Sequence, residues 1–239
     1  MSIYISASLL KDFVSCNRKV LYRTSKSEDA MQNVNMVVGE VVHSAIEKFW
    51  EGGAIGEKFI ESELMYRLGN NRPALKHAKE CYYVYTNYFR QYLLPDDKIE
   101  MGFKIPISSD VFLVGKLDRV SGGNVFDWKT SKDVPTDVSN DIQFIIYNWA
   151  YKRLTNSSAS GVYYASLSSG NLIKYNFNQL YYDVLFNDII PQAIKVIKSK
   201  DFVRNGVFRK QCYWCQYKIA CRNDTESGEK YVMDSSTST

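Results

Sequence analysis

Residues 113–132 read LVGKLDRVSGGNVFDWKTSK, and the turn in their middle decides how the sheet must pair. Two apolar runs, 112–120 and 125–129, flank Ser121-Gly122-Gly123-Asn124. A glycine pair between such runs marks a hairpin. Counting outward from a symmetric turn sets Val120 opposite Val125 and Asp118 opposite Asp127. Directly opposed residues hold their Cβ atoms about 4.5–5.5 Å apart. Lys129, two residues beyond Asp127, leaves the strand on the same face. Two carboxylates and an ammonium are therefore expected at one spot. Bare carboxylates facing one another destabilise a sheet, and a divalent cation between them reverses the sign of that interaction.

Outward from the hairpin, apolar spacing predicts helices over 8–22, 36–50 (ended by Gly52-Gly53) and 74–92, the last stopping before Pro95. Strands are predicted over 101–107, 112–120 and 125–130. A helix follows over 137–154, then strands 162–167 and 172–177 across Ser168-Ser169-Gly170, and a final helix over 179–199. Residues 223–239 are polar and read as a disordered tail. Strands followed by helices, behind a helical preface, give an α/β or α+β core with a central mixed sheet. The sequence has no phosphate loop of the G-x-x-x-x-G-K-[ST] type, so no ATP motor is built in.

The composition sets bounds. With 239 residues and 45% apolar content, a real core is expected. A net charge of +4 permits a local basic groove but not a general nucleic-acid coat. The 18 tyrosines suit core filling before base stacking. No apolar run approaches 18 residues, so no membrane span is expected. Five cysteines without a secretory leader argue against a disulfide framework and for a reducing, cytoplasmic location.

The chemistry-bearing residues form three groups. Asp118 and Asp127 offer the oxygen ligands that Mg²⁺ and Mn²⁺ take, and Lys129 can orient water or stabilise charge growing on a phosphate. Gly39, His43 and Glu47 recur every four residues along one helix face. Gly39 allows a close approach, His43 a metal bond and Glu47 a supporting contact. Gln143 and Tyr147 share a face one turn apart and can position Lys129, a water or a phosphate. His77 has no such companions and reads as structural. Cys212 and Cys215, with Cys221 five residues further on, need a fourth thiol, from Cys16 or Cys81. Four thiolates suit zinc or an iron–sulfur cluster, and spacing does not choose between them. Arg18, Lys19, Arg23, Arg119, Lys152 and Arg153 are candidate phosphate contacts, each also readable as a solvated surface charge.

The ordered set G-x3-H-x3-E, G-x2-D-R-V, D-W-K-T and Q-x3-Y resembles the RecB-like branch of the PD-(D/E)XK nucleases. Gly39, His43, Glu47, Gly115, Asp118, Arg119, Asp127, Lys129, Thr130, Gln143 and Tyr147 carry the match. Leu117 stands where the family's name has proline, and Trp128 where tyrosine or phenylalanine is usual. The resemblance implies a restriction-endonuclease-like core, with His43, Asp118, Asp127 and the Trp128 carbonyl as metal ligands. It also implies Lys129 as the catalytic lysine, with Gln143 and Tyr147 as accessory active-site residues. The Trp128 side chain is expected to point away from the metal. Cys16 with the later C-x2-C-x5-C resembles the iron–sulfur staple of CRISPR-associated RecB-like exonucleases and of the AddB nuclease domain. That likeness implies a [4Fe–4S] cluster on Cys16, Cys212, Cys215 and Cys221, with Cys81 a free thiol, in a single nuclease domain over 1–222.

The implied activity is metal-dependent DNA hydrolysis, acting exonucleolytically on single-stranded DNA from the 5′ end. Endonuclease activity also occurs among such relatives, and double-stranded DNA ends are a second candidate substrate. Two alternatives stand beside it. One is an end-processing nuclease partnered with a separate helicase in repair or recombination. The other is a DNA-binding accessory factor in CRISPR spacer acquisition.

Overall fold

The computed structural model describes residues 2–25, 33–50, 56–92, 94, 97–206 and 212–223. The chain divides into two compact units. One comprises Met1–Ala7 and Asn33–Leu185; the other comprises Ser8–Gln32 and Phe186–Thr239.

The first unit is a six-stranded mixed sheet with helices on both faces. Its strands are β1 (Ile3–Ile5), β2 (Lys98–Pro106), β3 (Val111–Ser121), β4 (Asn124–Lys129), β5 (Gly161–Ser166) and β6 (Leu172–Lys174). The order is β1-β3-β4-β5-β6, with β2 also on β3. The hairpin forms as its glycines require. Ser121 pairs with Asn124 and Val120 with Val125, and Gly122 and Gly123 take φ of 53° and 80°. Positive φ at both turn positions is the two-residue geometry that matches strand twist.

Strand β3 forks. One edge pairs antiparallel with β2 over nearly its whole length. The other edge is shared: residues 111–113 pair parallel with β1, while residues 119–121 pair with β4. The β3–β4 ladder stops at Arg119↔Phe126. The next rung, Asp118 opposite Asp127, stands where the strands have parted.

Helices α3 (Val34–Trp50), α4 (Gly56–Leu68) and α5 (Arg72–Val84) cover one face. Val38, Val42, Ile46, Ile60, Leu64, Ala78 and Tyr82 pack there with Phe126 and Trp128 of β4. Tyr85, Phe89 and Phe126 surround the Trp128 ring at centroid distances of 5.3, 5.6 and 5.8 Å. The helix predicted over 74–92 is α-helical only to Val84, then π-helical over Tyr85–Phe89 and 3-10 over Arg90–Tyr92. Helix α6 (Ile142–Thr155) serves the opposite face; Asp141 caps it, its carboxylate accepting from the Gln143 N–H at 2.8 Å. Residues 137–141, predicted helical, precede it as loop.

The second unit holds most of α1 (Ala7–Ser15), and α2 (Asn17–Thr24), α8 (Ile190–Ser199) and α9 (Lys218–Asn223). The short α7 (Gln179–Asp183) and a π-helical stretch, Val184–Ile189, precede α8. The helix predicted over 8–22 is broken at Cys16, which adopts an extended backbone (φ −167°, ψ 119°) between α1 and α2. The polar tail from residue 224 lies outside the described residues. No helix among the described residues is long and apolar enough to cross a membrane.

Candidate active site

Alternation along β4 sends Phe126 and Trp128 into the α3–α5 core and turns Asp127 and Lys129 to the other face. Asp127 is 1% exposed and Asp118 8%. Because the ladder has ended, the Trp128 N–H finds no β3 carbonyl and donates to Asp118 Oδ2 at 2.9 Å. The parted strands thus convert a backbone pairing into a carboxylate contact.

Helix α6 supplies the second layer. Gln143 Nε2 donates to Asp127 Oδ1 at 2.9 Å and to the Tyr147 hydroxyl at 2.8 Å. Its Oε1 accepts from Lys129 Nζ at 3.0 Å. One amide therefore sets both the carboxylate and the ammonium. Lys129 Nζ also lies 2.7 Å from Asp127 Oδ2, an ion pair without hydrogen-bond alignment. Burial alone would lower the Lys129 pKa, but Asp127, Asp118 and Asp141 outweigh it and raise it, so the group stays an ammonium. The Tyr147 hydroxyl is held far above its ordinary range, by burial first and then by the Asp127 and Asp118 carboxylates.

His43 arrives from α3. Its Nε2 is 2.8 Å from the Trp128 carbonyl oxygen, and its Nδ1 is 3.6 Å from Asp118 Oδ2. A carbonyl only accepts, so Nε2 carries a proton, and Nδ1 is the ring atom turned toward the Asp118 carboxylate. An imidazole nitrogen and a carboxylate oxygen at that distance leave room for a shared cation. The Trp128 carbonyl, expected as a fourth ligand, is engaged by His43 in this arrangement. Gly39, one turn before His43, leaves room for the strand end: a Cβ there would lie 3.3 Å from Thr130 Oγ1.

Sequence reasoning missed Glu100. It lies on β2, 18 residues before Asp118, and its carboxylate, His43 and Asp118 have ligand atoms all within 4.8 Å of one another. Burial lifts the Asp118 carboxyl to about 7, His43 drawing it down and Asp127 pushing it up. The donors are carboxylate oxygen and imidazole nitrogen, and one buried Asp127 oxygen lacks a hydrogen bond. That set fits Mg²⁺ or Mn²⁺. A cleft of about 690 Å³ opens beside it, lined by Asn35, Met36, His43, His77, Lys129 and Lys132 among others. His77 Nε2 sits 2.7 Å from the Thr130 carbonyl oxygen.

One expectation is overturned. Arg119 is 1% exposed and cannot meet a phosphate. It points into the α3–α5 side, where Nη2 donates to Asp97 at 2.8 Å and to the Leu94 carbonyl at 3.0 Å, with the guanidinium 4.1 Å from the Trp50 ring centroid. The residue is structural. Arg23, another candidate phosphate contact, is paired with Asp12 at 2.6 Å.

The cysteines gather in the second unit. Burial raises the thiol pKa of Cys212, and the neighbouring Cys16, Cys215 and Cys221 raise it further. Cys215 is raised by burial and, in turn, by Cys16 and Cys221. Gly206 admits Cys16: a Cβ there would lie 2.8 Å from the Cys16 Cβ. Cys81 stands apart in the α3–α5 core, its thiol pushed up to about 12 by burial.

A solved structure described as the crystal structure of SSO0001 aligns with 92% of this chain and 86% of its own, at 14% identity and a TM-score of 0.43. A search of curated proteins finds no match. Residues 4–222 match the family described as the PD-(D/E)XK nuclease superfamily, and the chain belongs to that superfamily.

Proposed function

We propose that the protein is a divalent-metal-dependent deoxyribonuclease that degrades single-stranded DNA exonucleolytically from the 5′ end. The observation that carries the hydrolytic reading is the single network in which Gln143 holds both Lys129 and Asp127 beside the His43–Asp118 pair. The strand preference and polarity rest on the resemblance of the ordered motifs to RecB-like exonucleases.

His43, Asp118 and Asp127 are the residues that would hold the cation. A Mg²⁺ or Mn²⁺ ion held by them would supply an activated water and polarise the scissile phosphate. Lys129, kept protonated, donates to the phosphate oxygen on which negative charge grows, an interaction stronger in the transition state than in the ground state. Gln143 accepts from Lys129, so the ammonium is aimed before substrate arrives. Tyr147 stays neutral and accepts from Gln143, fixing which end of the amide faces the lysine.

In the second unit, we read Cys16, Cys212, Cys215 and Cys221 as ligands of a [4Fe–4S] cluster. Burial first, and then the neighbouring thiols, hold the Cys212 and Cys215 thiols above their ordinary range, and a cationic centre would reverse that by favouring the thiolate.

The test is anaerobic purification, a visible spectrum, and a Mn²⁺ and Mg²⁺ nuclease assay on single-stranded DNA labelled at either end. The expected results are broad visible absorbance and release of short products first from 5′-labelled strands. Lys129→Ala and Asp127→Ala should each lose at least about 100-fold in rate, the scale of removing one charge-stabilising donor. Equal degradation by wild type and both variants would sink the site. A colourless, active protein containing zinc would sink the cluster.

A further inference from the structure

We propose that Glu100, which lies outside every motif of the family resemblance, is a direct ligand of the divalent cation; this rests on the metal-dependent reading above. Three features converge on it. Its carboxylate shares a common 4.8 Å neighbourhood with the ligand atoms of His43 and Asp118. It lies directly across the sheet from Asp118. Every other position from Lys98 to Pro106 pairs with its β3 partner, and the rung skipped is Glu100 opposite Asp118. Finally, its backbone takes φ of 48°, a left-handed conformation that a glutamate adopts only at a cost.

Each feature is locally unfavourable. Like charges directly opposed weaken a sheet. A positive φ at a residue with a side chain is strained, and such strain persists where the surroundings over-determine it, often at functional sites. The visible compensation is Lys116, whose Nζ is 3.2 Å from Glu100 Oε2. The Lys116 side chain is 63% exposed, and a solvated pair of that kind contributes little. A divalent cation between Glu100 and Asp118 accounts for all three features, because it turns the opposed carboxylates into a chelate. The kinked backbone is then what keeps Glu100 out of the ladder and beside Asp118. On this view the site draws its ligands from three elements, α3, β2 and β3, before Asp127 of β4 is counted.

The experiment measures Mn²⁺ binding to the full chain without DNA, by electron paramagnetic resonance of the free ion. Thermal melts in EDTA run in parallel. Wild type binds, and Asp118→Asn loses binding; if wild type binds no Mn²⁺, the metal reading fails and takes this proposal with it. Glu100→Gln is expected to weaken binding by at least about tenfold, the lower end of what losing even a supporting partner of a metal site costs. Glu100→Asn tolerates the positive φ better. It should melt at or above the wild-type temperature in EDTA while also binding Mn²⁺ weakly. Lys116→Met frees Glu100 and should bind Mn²⁺ at least as tightly as wild type. Glu100→Gln binding as tightly as wild type, while Asp118→Asn does not, overturns the assignment. So does a shared loss of EDTA melting temperature in Glu100→Gln and Lys116→Met with unchanged affinity, because Glu100 would then serve only its lysine.

Discussion

Asp118 concentrates the electrostatic cost of the site. An unfolded aspartate gives up its proton near pH 3.9, as a rough reference, whereas burial holds the folded Asp118 carboxyl protonated up to about 7. The folded state therefore binds more protons across that interval. Ion-free protein loses stability as pH rises from about 4 to about 7, the reverse of a salt-bridged carboxylate. A cation needs the deprotonated form and so gains affinity over the upper part of the same window. We predict that the melting temperature in EDTA falls between about pH 5 and pH 8, and that saturating Mn²⁺ raises it more at the higher pH. Equal Mn²⁺ shifts at both pH values would contradict the assignment of Asp118 as the ionising ligand. Asp118, Asp127 and Lys129 were legible because a glycine-pair turn fixes register by counting. Glu100 was not, since its strand begins at Lys98, ahead of the apolar alternation, and nothing about a glutamate announces a positive φ. Arg119 misled for a related reason. A charged residue beside a catalytic motif suggests a phosphate contact, but it alternates with Asp118 and so faces the core, where Asp97 neutralises it.

Strand β3 shows how one element positions the site through its glycine. Gly115 lies directly opposite Phe103, and a Cβ there would come within 2.6 Å of the Phe103 ring. The aromatic ring occupies the space a side chain would need, three residues before Asp118. We predict that Gly115→Val costs about 1–3 kcal/mol in urea unfolding, the usual scale of overpacking. Phe103→Leu in the same chain should recover part of that loss; no recovery would place the strain elsewhere. Helices α3 and α6 were legible from apolar spacing and their site residues from one-turn repeats. Helix α4 was not, because Ile60 and Leu64 are its buried apolar side chains while Met65 and Tyr66 are exposed. The break at Cys16 escaped detection too. Apolar spacing runs through it unbroken, whereas the backbone N–H groups just after it bond far along the chain, Asn17 to Asn205 Oδ1 at 2.9 Å and Arg18 to the Val203 carbonyl at 3.1 Å.

The molecule as a whole is two units whose chain segments interleave, with every cysteine proposed for the cluster in the second. Loop-closure entropy grows slowly with length, so a cluster joining Cys16 to Cys212 constrains a very long loop for a modest additional ordering cost. Metal-bound thiolates couple binding to folding. We predict that Cys16→Ser and Cys212→Ser each lose visible absorbance and unfold at lower temperature, whereas Cys81→Ser, in the other unit, keeps its colour. Loss of colour in all three would leave the cluster's position unassigned to the second unit. The fold class was readable from the succession of elements, but the division was not, because no Gly- or Pro-rich linker marks it. The division also bears on synthesis. Residues 8–32 are synthesised well before residues 186–223, with which they share a unit. The first unit's sheet and α3–α6 can assemble while that early segment still waits for its partners. A nascent chain stalled near residue 220, with the segment from residue 186 still inside the tunnel, should resist protease across its sheet but remain cleavable near Arg18 and Arg23, and release of the full chain should slow cleavage at both.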